Sequence, residues 1–181
     1  MKTRNMILAA MFGALTAVGA IVAVPLPTPI PFTMQIFFVV LAGILLGPHW
    51  GAVSQLVYIL MGSLGLPVFA GGTSGFMKLV GPSGGYLTGF IIAALVVGLI
   101  TRKRPNTLLW NLTASLAGLT FIYLVGTTQL ALVAGLSPGK AIAAGVAPFI
   151  LFDLIKITAA GFLGVAVKSA LIKVNLLEQA N

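Results

Sequence analysis

Phe152-Asp153-Leu154-Ile155-Lys156 places a carboxylate and an ammonium group three residues apart inside a long apolar run. On a helix that spacing sends both side chains to one face. Asp153 and Glu178 are the only acidic residues, and Glu178 sits in a polar C-terminal tail. The body of the chain therefore carries a single carboxylate, in a segment that reads as a membrane helix. A charge near the bilayer centre costs about 2.5–3.5 kcal/mol even on the gentler insertion scale. Such a pair either neutralises itself to fix helix packing or marks a functional site, and intramembrane charge usually does the latter.

Hydrophobic residues make up 59% of the 181 positions and charged residues only 7%, against roughly 25% charged in soluble domains. A soluble fold is excluded, and the class is an all-α integral membrane protein. With about 20 residues per spanning helix, about six transmembrane helices fit in one domain over residues 1–181. The chain has no cysteine, so disulfides and thiolate metal sites are ruled out. The net charge of +8 would suggest nucleic acid in a soluble protein. Here the basic residues lie at segment ends, as topology signals and lipid head-group contacts do.

The N-terminus imitates a signal peptide, with Lys2 and Arg4 ahead of an apolar stretch. Met6 to Val24 is longer than the usual ~7–15-residue signal core, so it is expected to stay as helix 1. Pro25, Pro27, Pro29 and Pro31 stop it and favour a stiff, extended connection. Helix 2, Thr33 to Leu46, and helix 3, Ala52 to Gly62, are both short, which suggests a cavity on one side of the membrane. Gly47-Pro48-His49-Trp50-Gly51 is the turn between them. From Gly62 to Tyr86 the chain is rich in glycine and proline yet still apolar. Such backbone at membrane depth is tolerated only against protein or a water-filled cavity. It is expected to fold back over a site, with a short helix at Ser74 to Val80. Helix 4 spans Gly85 to Ile100 and ends at Thr101-Arg102-Lys103-Arg104-Pro105-Asn106. Helix 5 spans Leu108 to Ala134, a small-residue helix covers Ala141 to Ala147, and helix 6 runs from Pro148 to Ile172. No internal repeat is visible.

Six spans put both termini on one side. With that side cytoplasmic, Lys2, Arg4, Arg102, Lys103, Arg104, Lys168 and Lys173 lie inside, and Lys78 and Lys140 outside. The bias satisfies the positive-inside rule and turns the glycine-rich loop outward, as uptake would require.

Catalysis is poorly supplied. His49 is the only histidine and is read as an interfacial turn residue; with one membrane carboxylate it cannot form an acid–base pair or a metal cluster. Gly135-Leu136-Ser137-Pro138-Gly139-Lys140 lacks the spacing and the following Ser/Thr of a phosphate-binding loop, so the chain does not consume ATP by itself. Binding is better supplied. Asp153 can accept N–H donors and Lys156 can donate. Gln35 adds an amide, Phe69 and Tyr86 add flat apolar faces, and Gly71-Gly72 and Gly84-Gly85 allow close backbone approach to a ligand. An apolar pocket with a few placed polar groups is what a small-molecule site needs. In helix 1, Ala9, Gly13 and Ala17 recur every four residues, as do Ala10 and Ala14. That smooth surface suits close packing, within the bundle or against a partner protein.

Several segments together resemble the BioY family, the biotin-binding substrate component of energy-coupling factor transporters. They are Pro31-Phe32-Thr33-Met34-Gln35, Leu41-Ala42-Gly43-Ile44-Leu45-Leu46-Gly47-Pro48, Gly65-Leu66-Pro67-Val68-Phe69-Ala70-Gly71-Gly72, Gly81-Pro82-Ser83-Gly84-Gly85-Tyr86-Leu87 and Phe152-Asp153-Leu154-Ile155-Lys156. The resemblance covers essentially the whole chain. It implies a six-helix protein that captures biotin from outside, with Asp153 and Lys156 lining the pocket. It also implies docking, through the small-residue face of helix 1, onto one transmembrane scaffold subunit and two ATPase subunits, and toppling in the membrane to release the vitamin inward. The chemistry agrees. Biotin's ureido ring offers two N–H donors beside one carbonyl, its second ring wants apolar walls, and its valerate carboxylate suits loop N–H groups or Lys78. The residues alone leave open which polar group meets which end. They imply no cofactor and no metal. Two other classes compete: a small self-sufficient transporter that oligomerises and couples to protons through Asp153, and a structural or channel-forming subunit in which the pair serves only assembly.

Overall fold

Alternate prolines deny the chain the N–H groups that either a helix or a ladder needs, and they set the first boundary. A computed structural model describes residues 2–104 and 106–173; the tail with Glu178, and Pro105, lie outside them. Helix α1 covers Lys2–Ile21. The chain then forms a two-residue strand, β1 (Ala23–Val24), paired antiparallel with β2 (Phe32–Thr33). The prolines at 25, 27, 29 and 31 fall in the loop of this ribbon. The expected extended connection is thus a small hairpin, and helix 1 ends earlier than Val24.

Helix α2, Gln35–Ser63, is continuous except at Gly47 (φ 74, ψ −175). That backbone suits glycine, and Pro48 can begin but not continue a helix. The break reverses the chain. A methyl group placed on Gly51 would stand 3.1 Å from Gly43 Cα, and Gln35 is hydrogen-bonded to Tyr58. Residues eight and 23 positions apart meet in this way only if the arms 35–46 and 48–63 run antiparallel. These arms correspond to expected helices 2 and 3, but the turn is tighter than five residues and the second arm starts at Pro48 rather than Ala52. At about 1.5 Å per residue the arms are about 18 and 24 Å long, short for a roughly 30 Å hydrocarbon core.

A loop follows, with a 3-10 turn at Ala70–Gly72 and a single-turn helix α3, Met77–Val80. Helix α4 (Gly84–Arg102) and helix α5 (Leu108–Ala134) come next. Gly135, in the left-handed region at φ 61, closes α5. Helix α6 (Pro138–Gly145) and helix α7 (Ile150–Lys173) complete the described chain. Five of these helices, α1, α2, α4, α5 and α7, are long and apolar enough to cross a membrane.

The arms of α2 sit at the centre, packed on α1, α4 and α7. Val39, Val40, Ala42, Ala93, Ala94, Val97, Ala114 and Ile122 are wholly buried there. Large apolar side chains such as Ile7, Leu124, Leu132, Leu151 and Phe162 point outward, which suits a protein solvated by lipid tails rather than water. The β-hairpin, the glycine-rich loop, α6 and the start of α7 gather at one end of the bundle. The Gly47 bend and the end of α4 mark the other.

Candidate functional site

At the hairpin-and-loop end a cavity of about 130 Å³ opens among β2, the first arm of α2, the loop, and the adjoining ends of α4, α5 and α7. A single water needs about 10–15 Å³ by the same measure, so the space suits a small molecule. Asp153 lies in the first turn of α7 and Lys156 one turn on. Both are almost withdrawn from solvent, at 2% and 5% exposure.

The Lys156 ammonium donates to Asp153 Oδ1 at 2.7 Å and to the Thr33 carbonyl at 2.6 Å. It also lies 3.8 Å from the centre of the Phe32 ring, a favourable seat for a desolvated cation. The Tyr123 hydroxyl donates to Asp153 Oδ2 at 2.5 Å. Each carboxylate oxygen therefore accepts one protein bond and keeps lone-pair capacity, and Lys156 keeps a third N–H. A buried pair is tolerable only when its geometry is good and further bonds satisfy it, and this network meets both conditions.

Gln35 is locked from both ends. Its Nε2 donates to the Tyr58 hydroxyl at 2.7 Å, and its Oε1 accepts from Thr33 Oγ1 at 2.9 Å. One amide N–H remains available. Phe69 is 2% exposed and packs edge-on against Tyr58, ring centres 5.7 Å apart. Gly62 makes room for it, since a side chain there would collide with the Phe69 ring. Tyr86 donates to the Gly145 carbonyl at 2.9 Å, which ties the start of α4 to the end of α6. Gln129 of α5 donates to the carbonyls of Leu79 and Gly81 and holds α3 close to the cavity mouth.

Of the residues singled out from sequence, Asp153, Lys156, Gln35, Phe69 and Tyr86 line the cavity together, with Lys78 at its exposed edge. Gly71, Gly72 and Gly85 do not line it. Gly71 and Gly72 are exposed and have positive φ, 67 and 72. The Gly72 N–H is engaged by the Phe69 carbonyl, so the pair makes the turn that presents Phe69. Gly85 is buried against α5, where an added Cβ would stand 2.5 Å from the Val125 carbonyl oxygen. Its role is helix contact. Tyr123, Tyr58, Phe90 and Phe149 escaped the sequence reading. The first two bond to Asp153 and Gln35; Tyr123, Phe90 and Phe149 line the cavity. Only a hydroxyl-bearing ring inside an apolar helix could have signalled Tyr58 and Tyr123.

The small residues of α1 divide. Ala9, Gly13 and Ala17 are buried, with an added Cβ on Gly13 lying 3.1 Å from the Ser54 carbonyl oxygen in the second arm of α2. They pack inside the bundle. Ala10 and Ala14 are exposed. His49 is exposed at the opposite end, beside the Gly47 bend.

Comparison with known proteins follows the same lines. Residues 1–173 match the BioY family model. The chain is 43% identical over 165 residues to the biotin transporter BioY of Thermotoga maritima, covering 91% of this chain and 96% of that one. It is 45% identical over 156 residues to a probable biotin transporter BioY of Pyrococcus horikoshii, covering 86% and 91%. Among solved structures, the S-component for biotin from an ECF-type ABC transporter superposes with a TM-score of 0.86 over 93% of this chain and 92% of that one. At 23% identity that likeness is one of fold. A family match over nearly the whole chain, with relatives above 40% identity along most of their own length, makes this protein a member of the BioY family.

Proposed function

We propose that the chain is the biotin-capturing subunit of an energy-coupling factor transporter, a multi-pass membrane protein and not an enzyme. One observation carries the reading. A carboxylate with free lone pairs and an ammonium with a free N–H sit side by side, nearly dry, on the wall of a cavity rich in aromatic rings. A ureido group presents the complementary set, N–H donors beside a carbonyl acceptor, and rings beside it fill apolar space. The relatives' names point to the same vitamin. Asp153 receives the ureido N–H edge, Lys156 or the free Gln35 N–H meets the carbonyl, and Lys78 at the mouth attracts the valerate carboxylate.

In this reading six rods cross the membrane, each arm of α2 counting as one. Both termini are cytoplasmic, and the loop over residues 64–83 faces outward as a lid. Ala10 and Ala14 are the part of the α1 surface left for a transmembrane scaffold subunit, which joins two ATPase subunits. The proton-coupled alternative is not favoured, because the relatives are named biotin transporters of the BioY type and the matching fold is that of an S-component from an ECF-type ABC transporter. The test is retention of ligand. Detergent-purified protein should carry labelled biotin through gel filtration at one molecule per chain. Absence of co-eluting biotin from correctly folded protein would refute the proposal.

A further inference from the structure

The end of the bundle away from the Asp153 site holds a second cavity, about 390 Å³, that the transport reading does not use. It lies where the Gly47 bend meets the end of α4 and the late part of α7. Its walls combine Leu45, Leu46 and the half-buried Trp50 with the cations Arg102 and Lys168, and His49 stands at its rim.

Among the described residues the charges here have no acidic partner. No carboxylate among the described residues stands at this end, because Asp153 is bonded to Lys156 at the other. The Thr101 hydroxyl is engaged by the Val97 carbonyl. Arg104 is stacked on Trp110. Arg102 also offsets the negative end of α4. Lys168 has no such task, since it lies more than a turn before the end of α7, and such effects fall off within the last turn. It is half-buried all the same, and a charge drawn out of water without a partner is costly. Two cations, one partly desolvated, beside apolar walls at the depth where spanning helices end, fit a phosphate attached to acyl chains. Basic pockets between membrane helices accept lipid head groups in this way.

We propose that this cavity binds the phosphate group of an anionic membrane phospholipid, with Arg102 and Lys168 as its cations and Trp50 against the chain region below it. The site is separate from the Asp153 cavity, so its occupancy is testable without reference to biotin.

Protein reconstituted in nanodiscs of equal phosphatidylglycerol and phosphatidylcholine is released and examined by native mass spectrometry for retained lipid. Wild type should keep phosphatidylglycerol in preference to phosphatidylcholine. Arg102→Gln/Lys168→Gln should lower retained phosphatidylglycerol roughly 30-fold, each cation being worth about fivefold at a membrane surface, with biotin binding unchanged. Equal retention of the two lipids by wild type, or unchanged retention by the double variant, overturns the proposal. Displacement of the lipid by millimolar inorganic phosphate would also overturn it, by making a free anion the ligand. Should the double variant fail to insert, the two-lipid comparison on wild type and Lys168→Arg, which keeps the charge and should keep the lipid, decide the matter; loss of lipid from Lys168→Arg counts against it.

Discussion

Replacing Asp153 by asparagine keeps the side chain's shape and removes its charge. In the native site Oδ1 accepts from Lys156 and Oδ2 from Tyr123. An amide accepts at one atom only, so one of these donors would face an N–H group. A hydrogen bond to a charged group is worth about 1.5–3 kcal/mol. The Lys156 ammonium, at 5% exposure, would also lose its counter-ion while a ligand N–H lost its acceptor. Truncating one member of such a desolvated set costs about 2–5 kcal/mol, which corresponds to roughly 30-fold to several thousand-fold in biotin affinity. Titration calorimetry on the purified variant measures this, with gel filtration and thermal melting as checks on folding. A second variant isolates the cause. Asp153→Asn/Lys156→Met has no buried unpaired charge, so it should melt higher than Asp153→Asn alone yet still bind biotin weakly. Affinity within about threefold of wild type in a folded Asp153→Asn protein would refute the argument and remove Asp153 from the site.

The other expectations follow from single contacts. Tyr123→Phe deletes the 2.5 Å bond to Asp153 and should weaken biotin binding about 10- to 100-fold by calorimetry, given the worth of a charge-assisted bond; an unchanged constant would make that bond structural only. Gly62→Ala pushes a methyl group into the Phe69 ring, so limited proteolysis should cut the loop 64–83 faster and biotin should protect it less than in wild type. Ala14→Trp, on the exposed side of α1, should leave biotin binding by the detergent-purified chain intact while abolishing co-purification with the ATPase module. Ala9→Trp, pointing into the bundle at 1% exposure, should instead disrupt folding, seen as aggregation in gel filtration.

Membrane class, helix positions and the Asp153–Lys156 pair could be read from the sequence because each rests on short-range physics. Long apolar runs must satisfy their backbone internally, prolines end helices, and a spacing of three puts two charges on one helix face. The glycine pairs stand outside the cavity lining for a related reason. Glycine marks close approach without saying to what, and tertiary packing set Gly85 against α5 and used Gly72 to present Phe69. The stripe on α1 was likewise visible as a pattern, but only the bundle decided that Ala9, Gly13 and Ala17 turn inward and Ala10 and Ala14 outward. Tyr123 lies 30 residues from Asp153 and Thr33 lies 123 from Lys156. No local period links such partners. They meet because the Gly47 reversal and the docking of α5 and α7 bring one end of each element to a common cavity, and that convergence is a property of packing alone.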